Sequence, residues 1–189
     1  MRCEVVLVRH AESVVPRAGG PDEFRRPLTA AGSARAGRLV GELALSGAVV
    51  VVSSPYLRAR QTVEPLARAV GVGVRTDPAL REWDSGLEPT PDYARHYAAS
   101  WADPRFARPG GESLAQLTER ATAALVALAG RHAGATVVVG SHGTFVARAL
   151  VGFGVAGVDW EFSRAMPMPA VYRLRFTPAG VAVSGPLSR

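Results

Sequence analysis

The 189-residue chain contains no lysine, so all 22 of its basic side chains are arginines. Without lysine it has no Walker A loop, whose Gly-Lys-Ser/Thr end requires that residue, and no Schiff-base chemistry. The 16 acidic residues leave a formal net charge of +6, which permits attraction to phosphate-bearing partners. Because the arginines are scattered rather than massed in one run, we expect no nucleic-acid partner.

Cysteine and long apolar runs are also scarce. The single cysteine, Cys3, excludes an internal disulfide and a thiolate metal cage within one chain. No apolar run approaches the roughly 20 residues that span a bilayer, and the chain enters a strand almost at once, which leaves no room for a signal peptide. We therefore expect a cytoplasmic protein with no membrane partner. Because 48% of the residues are hydrophobic and no linker divides them, residues 1–189 are predicted to form one domain.

The residue pattern predicts alternating strands and helices. Apolar runs predict strands near 5–8, 48–53, 72–76 and 136–140, helical patterns occupy 28–45, 55–70, 93–101, 112–131 and 144–151, and a hairpin follows at 171–183. Thr29 is the expected N-cap of the first helix and Gly47 lies just beyond its expected end, while Ser54 and Pro55 are expected to open the second helix. This order predicts an α/β fold, a three-layer α/β/α sandwich with a mostly parallel central sheet.

Two of the predicted strands run into a histidine. The run at 5–8 continues into Arg9 and His10, and the run at 136–140 continues into Ser141 and His142. Functional groups in open parallel sheets gather just beyond the carboxyl ends of the strands. The pattern therefore predicts that two imidazoles meet above one edge of the sheet. The alternative is that both are core histidines with purely structural hydrogen bonds.

Six segments, in order along the chain, resemble the motifs of the histidine phosphatase superfamily. They are LVRHAES at 7–13, PLTAAG at 27–32, SSPYLRARQT at 53–62, LRE at 80–82, PGGES at 109–113 and VGSHG at 139–143. The superfamily includes phosphoglycerate mutases and many small phosphatases that share a phosphohistidine intermediate. The resemblance covers roughly 3–152 and implies a phosphoglycerate mutase-like fold, with a histidine-phosphatase-like domain over 1–189 and a short lid segment at about 83–108.

The resemblance also implies roles for individual residues. His10 is the expected nucleophile, Arg9 and Arg58 are expected to bind the phosphoryl oxygens, and His142 is expected to add a further hydrogen-bond donor. Glu82 is expected to protonate the leaving alcohol and then to take a proton from the attacking water. The chemistry suits these roles, because guanidinium charges keep a nucleophilic imidazole unprotonated and because phosphoryl transfer depends on positioning and electrostatic stabilisation.

Several of these residues also have purely structural interpretations. Ser13 is a candidate phosphate-binding donor, or its hydroxyl makes only a local turn bond. Arg58 is either a site residue or a solvated helix residue, whereas Arg60 points elsewhere on the helix and is expected to be structural. Glu82 is either the acid and base or the partner of Arg81 in a surface ion pair.

Two positions depart from the superfamily pattern. Ala11 replaces the common glycine after the nucleophile, which still keeps the site small. Pro16 stands where many members carry an asparagine that helps to bind phosphate, so one donor is missing unless Arg17 or the pair Arg25 and Arg26 supplies it.

Neither a cofactor nor a metal is predicted. Residues 152–157 match the dinucleotide pattern G-x-G-x-x-G, but they follow a helix rather than a strand and so are interpreted as a helix end and a turn. No cluster of carboxylates and histidines has metal-ligand spacing, and a histidine nucleophile with arginine partners requires no metal.

The sequence therefore predicts a metal-independent phosphatase that hydrolyses a phosphomonoester or a phosphohistidine through phosphorylated His10. The stretch from Glu82 to Gly110 is short and lacks the long basic insertion of the mutases, so water should reach the phosphoenzyme. A phosphoglycerate mutase and a poorly catalytic phospholigand-binding regulatory module are the alternatives. The expected partners are a small phosphorylated substrate and inorganic phosphate, while the oligomeric state is not predicted. Four aromatic residues of the lid are expected either to line the pocket or, for at least half of them, to pack in the core: Trp83, Tyr93, Tyr97 and Trp101.

Overall fold

The computed structural model describes residues 2–16, 21–43, 45, 49–88 and 90–186. Within these ranges the strands are β1 (Cys3–Arg9), β2 (Val49–Ser53), β3 (Val74–Thr76), β4 (Thr136–Ser141), β5 (Ala170–Thr177) and β6 (Gly180–Ser184). The helices are α1 (Ala30–Glu42), α2 (Leu57–Ala69), α3 (Tyr93–Ala102), α4 (Leu114–Arg131), α5 (Gly143–Gly152) and α6 (Trp160–Ala165), with a short 3₁₀ turn at Pro78–Leu80. Gly47, the expected helix terminator, lies outside the described residues.

The strands form one sheet in the order β3-β2-β4-β1-β5-β6. The first four are parallel to one another, β5 runs antiparallel to β1, and β6 runs antiparallel to β5. The register pairs Arg9 with Ser141 and Ser53 with Gly140, so β1, β2 and β4 end at the same edge. The predicted mostly parallel sheet is confirmed, and its central carboxyl ends lie side by side.

The unbroken apolar run of β1 is explained by burial on both faces. Val5 and Leu7 pack into the core beneath α4 and α5, whereas Val6 and Val8 pack against α1 and α2. All four side chains are inaccessible to solvent, and burial of each stabilises the fold by roughly 1.5–3 kcal/mol. The predicted three-layer α/β/α sandwich is therefore confirmed.

The first helix begins as its sequence predicts, because the Thr29 hydroxyl accepts a hydrogen bond from Gly32 N at 2.9 Å. The helix start also lies against the segment after His10, with Thr29 N donating to the carbonyl of Glu12. A Cβ on Gly32 would overlap that same carbonyl oxygen. Glycine at position 32 is thus required for the close approach of α1 to the strand-end segment.

The predicted start of the second helix is wrong by two residues. Pro55 precedes the helix, α2 begins at Leu57, and its N-cap residue Tyr56 makes no side-chain cap bond. Ser54 lies two residues before the N-cap residue, and its hydroxyl accepts from Tyr56 N at 3.3 Å and is hydrogen-bonded to His142. The serine that resembled a capping residue is part of the site at the sheet edge.

The glycine-rich segment 152–157 is a helix end and a turn, in agreement with the sequence. Helix α5 ends at Gly152, and Gly154 and Gly157 adopt positive φ angles of 80° and 73°. Among the described residues, no helix combines the length and apolar character needed to cross a membrane.

Candidate active site

His10 lies directly beyond the end of β1, where its backbone N–H donates to Ser141 O at 2.9 Å. Its Nδ1 lies 2.7 Å from the carbonyl oxygen of Ala11. Because a carbonyl only accepts, Nδ1 carries the hydrogen and Nε2 holds the lone pair. Burial and, next, the charge of Arg58 lower the pKa of His10 to about 3. The imidazole is therefore neutral at physiological pH, and Nε2 carries a lone pair of the kind that a nucleophile needs.

Arg58 contacts the Nε2 atom of His10. It lies in the first turn of α2, its side chain is only 3% exposed, and its Nε donates to His10 Nε2 at 3.2 Å. Burial lowers the pKa of Arg58, and the neighbouring charge of Arg26 lowers it further. The interpretation of Arg58 as a solvated helix residue is therefore wrong.

Arg9, the last residue of β1, lies on the other side of the site. One terminal nitrogen donates to the carbonyl of Met166, which orients the guanidinium. A Cβ on Gly143 would lie 3.0 Å from the Arg9 Cζ, so a glycine at the start of α5 makes room for the charge. The Arg9 Nε is buried and has no hydrogen-bond partner within the described residues. Burial lowers the pKa of Arg9, whereas the nearby carboxylate of Glu82 raises it.

His142 is the N-cap residue of α5 and is fully buried. Its ring centroid lies 5.3 Å from that of His10, in an edge-on arrangement. Its Nε2 shares a hydrogen bond of 2.8 Å with the Ser54 hydroxyl, while Nδ1 has no partner in the part of the chain that is described. Burial, followed by the proximity of His10 and Arg58, holds the pKa of His142 well below its ordinary value. The two imidazoles thus meet at one sheet edge, and the second retains an unused ring nitrogen.

Glu82 follows the 3₁₀ turn and reaches the start of α5. Its carboxylate accepts from the backbone N–H groups of Trp83 at 2.9 Å, Phe145 at 3.1 Å and Thr144 at 3.3 Å. The first turn of a helix presents unpaired N–H groups, which suit an anion. Among the described side chains, no ion pair joins Glu82 to Arg81, so the surface-pair interpretation is not supported.

The segment that carries Glu82 is held by an ion pair that the sequence did not reveal. Arg120 on α4 binds both carboxylate oxygens of Glu112, with Nε at 2.8 Å and a terminal nitrogen at 2.7 Å. The same guanidinium donates to the carbonyls of Ala79, Arg81 and Glu82 at 2.8, 3.0 and 3.3 Å. Only the place of Glu112 within the PGGES segment could have drawn attention to this unit.

Ser13 does not contact His10 among the recorded hydrogen bonds. Its hydroxyl accepts from a terminal nitrogen of Arg26 at 2.9 Å, and the same nitrogen donates to Val14 O at 2.6 Å. Arg26 is buried, and its charge contributes to the lowered pKa of His10. Ser13 therefore meets the site through Arg26, and its role in phosphate binding stays a prediction. Arg17, the other basic residue considered as a replacement donor, lies outside the described residues.

Three of the four lid aromatics pack inward. Trp83 is buried in the main core cluster, and Tyr97 and Trp101 pack against the same cluster, with the Arg148 guanidinium 5.2 Å from the ring centre of Trp101. Tyr97 also forms edge-on contacts with Trp83 and with Tyr93, which is itself 53% exposed. These contacts agree with core packing for at least half of the set, while a lid movement of 83–108 stays a prediction.

Across the described residues, no group of three or more histidine, cysteine, aspartate or glutamate side chains is arranged to hold a metal ion. The side chains gathered at the sheet edge are instead guanidinium and imidazole groups with one carboxylate. Such a set binds oxyanions, since forked guanidinium donors match phosphate geometry. Metal independence itself stays a prediction.

A parallel sheet with two neutral imidazoles and buried arginines at its carboxyl edge is suited to bind a phosphoryl group. The model of one family, described as the histidine phosphatase superfamily (branch 1), matches residues 5–185. The chain belongs to this superfamily, as its six sequence segments indicated.

The proteins that this chain resembles include one named as a probable mutase and one named as a phosphatase. The "Probable phosphoglycerate mutase GpmB" of Salmonella paratyphi C is 34% identical over 154 residues, which cover 74% of this chain and 69% of the relative. The solved structure of the Rv3214 protein from Mycobacterium tuberculosis is 30% identical, with a TM-score of 0.71 over 96% of this chain and 95% of that one. A mycobacterial glucosyl-3-phosphoglycerate phosphatase is 20% identical with a TM-score of 0.76, over 97% of each chain, and this likeness concerns the fold.

Proposed function

We propose that this protein is a metal-independent phosphatase that hydrolyses a phosphomonoester, or a phosphohistidine, through a phosphohistidine formed on His10. The protonation state and the contacts of the His10 side chain support this proposal most strongly. A buried imidazole is held neutral, its Nδ1 hydrogen is bound to a carbonyl oxygen, and its Nε2 lone pair lies 3.2 Å from the Nε of Arg58. A neutral lone pair beside a fixed positive charge suits attack on an anionic phosphoryl group.

In the first step, the Nε2 lone pair of His10 attacks phosphorus and a phosphorus–nitrogen bond forms. The bond between phosphorus and the leaving oxygen breaks, and Glu82, which is a carboxylate in the free protein and carries a proton in the substrate complex, donates that proton to the leaving oxygen. The N–H group at His10 Nδ1 keeps its hydrogen bond to Ala11 O, and this hydrogen bond stabilises the positive charge that develops on the ring. Glu82 leaves this step as a carboxylate.

In the second step, water attacks the phosphorus of the phosphohistidine. The Glu82 carboxylate takes a proton from that water, the phosphorus–nitrogen bond breaks, and its electron pair returns to His10 Nε2. Inorganic phosphate is released, and Glu82 is again protonated for the next cycle. The two steps together consume one water molecule and need no metal.

Two buried nitrogens are available to bind the transferring phosphoryl group. Arg9 Nε and His142 Nδ1 have no partner among the described residues, although both are shielded from solvent. Unsatisfied buried groups cost about 1–3 kcal/mol each, a penalty that a bound oxyanion would relieve. If the Ser54 hydroxyl donates to Nε2 of His142, then Nδ1 carries the hydrogen and donates to phosphate. Because burial lowers the pKa of His142, this donor acts as a neutral group.

A phosphoglycerate mutase is the second candidate, favoured by the name of the 34% identical Salmonella relative. Both reactions share phosphorylated His10 and differ in whether water or a substrate hydroxyl receives the phosphoryl group. The short segment between Glu82 and Gly110 supports hydrolysis, because a short lid leaves water free to reach the phosphoenzyme.

The test combines two assays on the same preparation, in the presence of a metal chelator. We expect release of inorganic phosphate from an aryl phosphate and from several alkyl phosphates, with negligible isomerisation of phosphoglycerate. Rapid isomerisation with negligible hydrolysis would establish the mutase instead. Tight phosphate binding with no turnover of either kind would support a binding module, and activity lost on chelation would refute metal independence.

A further inference from the structure

Two arginines of the site converge on one carboxylate, that of Glu23. Arg26 binds it in a forked arrangement, with Nε 3.0 Å from Oε1 and a terminal nitrogen 3.0 Å from Oε2. Arg58 places its own terminal nitrogen 3.1 Å from the same Oε2 and donates to the Glu23 carbonyl at 2.6 Å. The Nε of Arg58 also contacts His10 Nε2. The Arg58 guanidinium therefore bridges the Glu23 carboxylate and His10.

The loop that carries Glu23 also packs against an aromatic residue of the site. His10 is only 7% exposed, whereas the Glu23 side chain above the two arginines is 54% exposed. The next residue, Phe24, stacks on Tyr56 with ring centres 4.6 Å apart, and Tyr56 in turn packs against the ring of His142. Glu23 and Phe24 therefore join this loop to Arg58 and Tyr56, each of which contacts a histidine of the site.

A carboxylate and a phosphoryl group bind a guanidinium in the same way, because each offers two acceptor oxygens in the plane of the forked N–H donors. Glu23 offers one negative charge to two cations, so the pair of arginines keeps an excess of one positive charge. A phosphomonoester dianion supplies two charges and three acceptor oxygens, and it can therefore replace the single carboxylate. A phosphodiester monoanion has no such advantage.

We propose that the Glu23 carboxylate competes with a substrate phosphoryl group for Arg26 and Arg58, and that it leaves both arginines when substrate binds. This inference rests on the proposed phosphoryl chemistry at His10. The site selects dianionic monoesters, because only a dianion outcompetes the resident carboxylate for Arg26 and Arg58. On binding, the Glu23 side chain moves into solvent, where half of it already lies.

The test measures equilibrium binding of inorganic phosphate at pH 7.5 by calorimetry, which requires no turnover. We expect Glu23→Gln to tighten binding by roughly 5- to 10-fold, since the competing charge is lost while the size of the side chain is kept. Arg26→Met should weaken binding at least tenfold and should cancel the gain when combined with Glu23→Gln. Steady-state kinetics of wild type and Glu23→Gln should show a lower KM for a phosphomonoester in the variant. The ratio of kcat/KM for the monoester to kcat/KM for a diester should be smaller in the variant than in wild type.

Asp22→Asn is the control, because it removes one negative charge from the same loop. Asp22 pairs at 3.8 Å with the exposed Arg25 and keeps its turn bond to Arg25 N as an amide. We expect phosphate affinity within twofold of wild type for this variant. The proposal is overturned if Glu23→Gln leaves phosphate affinity unchanged or weakens it, or if Asp22→Asn tightens binding equally.

The two proposals fail in different ways. If the phosphatase proposal is wrong but the exchange is right, phosphate binding tightens in Glu23→Gln although neither variant nor wild type turns over substrate. If the exchange is wrong but the phosphatase proposal is right, hydrolysis proceeds in wild type while Glu23→Gln brings no gain in affinity.

Discussion

The Nε of Arg58 donates a hydrogen bond of 3.2 Å to the Nε2 of His10, the atom that is proposed to attack phosphorus. The contact fixes the direction of the lone pair and opposes protonation of the ring. It must also break when a phosphoryl group arrives, because one lone pair cannot serve both partners. Arg58 can then transfer its hydrogen bonds to the phosphoryl oxygens, which links orientation of the nucleophile to stabilisation of the transition state.

Arg58→Met is expected to lower kcat/KM by about 10²- to 10³-fold, the usual effect of removing one preorganised donor to a developing oxyanion. Arg58→Lys should recover only part of this loss, because an ammonium is a point charge without the fork. Steady-state kinetics on an aryl phosphate measure both effects. Arg60→Met is the matched control on the same helix, and its exposed side chain predicts activity within twofold of wild type. Equal losses at positions 58 and 60 would contradict the assignment.

Glu82→Gln is expected to slow hydrolysis in a way that depends on the leaving group. Alkyl phosphates need a proton on the departing oxygen, so their phosphorylation step should fall by about 10²- to 10⁴-fold. An aryl phosphate with an acidic phenol leaves without that proton, and its first step should change little. A transient-kinetic burst of phenol separates the two steps. Glu88→Gln removes an exposed carboxylate of the same segment and should change neither step. An equal decrease in the rate of the phosphorylation step for alkyl and aryl phosphates would argue against Glu82 as the acid.

Gly32→Ala is expected to destabilise the protein by roughly 1–3 kcal/mol, because the new methyl group would overlap the carbonyl of Glu12. Gly37→Ala provides the control within the same helix, since a Cβ there meets nothing within 4 Å. That substitution should stabilise the protein by about 0.4–1 kcal/mol through a smaller loss of backbone entropy. Urea unfolding of the two variants measures both values. A stabilising Gly32→Ala would show that α1 does not pack against the strand-end segment as described.

Because His10 is buried in its neutral form, we expect the free energy of unfolding to decrease on mild acidification. The pKa of His10 is lowered to about 3 by burial and by Arg58, whereas an unfolded histidine titrates near 6.5. Below that higher value the unfolded chain gains a proton that folded His10 does not, so the free energy of unfolding decreases as pH falls from about 6.5 toward 3. The slope approaches about 1.4 kcal/mol per pH unit for each such histidine.

Urea unfolding at several pH values between 7 and 5 tests this slope. The variant His10→Gln lacks one titrating group and should show a shallower dependence than wild type. Identical slopes in the two proteins would mean that His10 titrates alike in the folded and unfolded chains, contrary to the buried, arginine-flanked environment.

The parts of this structure that sequence predicted are those that local patterns encode. The runs at 5–8 and 136–140 gave β1 and β4, and the residues just beyond them gave His10 and His142 at one edge. Thr29 signalled the start of α1 because its capping bond spans only three residues. The site residues that belong to motifs were found for the same reason.

The missed residues depend on distant contacts. Glu23 lies in a loop outside every motif, and its importance arises from Arg58, which is 35 residues away in sequence. Arg120 supports Glu82 across a separation of 38 residues. Ser54 was mistaken for a helix cap because a strand-end serine before a proline resembles one, although its hydroxyl is bound to His142. A hydrogen bond between elements far apart in the chain leaves no periodic trace in the sequence.

A phosphohistidine on His10 can be trapped as a covalent intermediate. Wild type, His10→Ala and Glu82→Gln are mixed with an aryl phosphate, quenched in alkaline detergent within milliseconds and analysed by mass spectrometry under alkaline conditions. We predict a phosphoryl group on His10 in wild type that is stable in base and lost in acid, a larger amount in Glu82→Gln, where water activation is slowed, and none in His10→Ala. Hydrolysis that persists in His10→Ala, or a phosphoryl group found on another residue, would contradict the account.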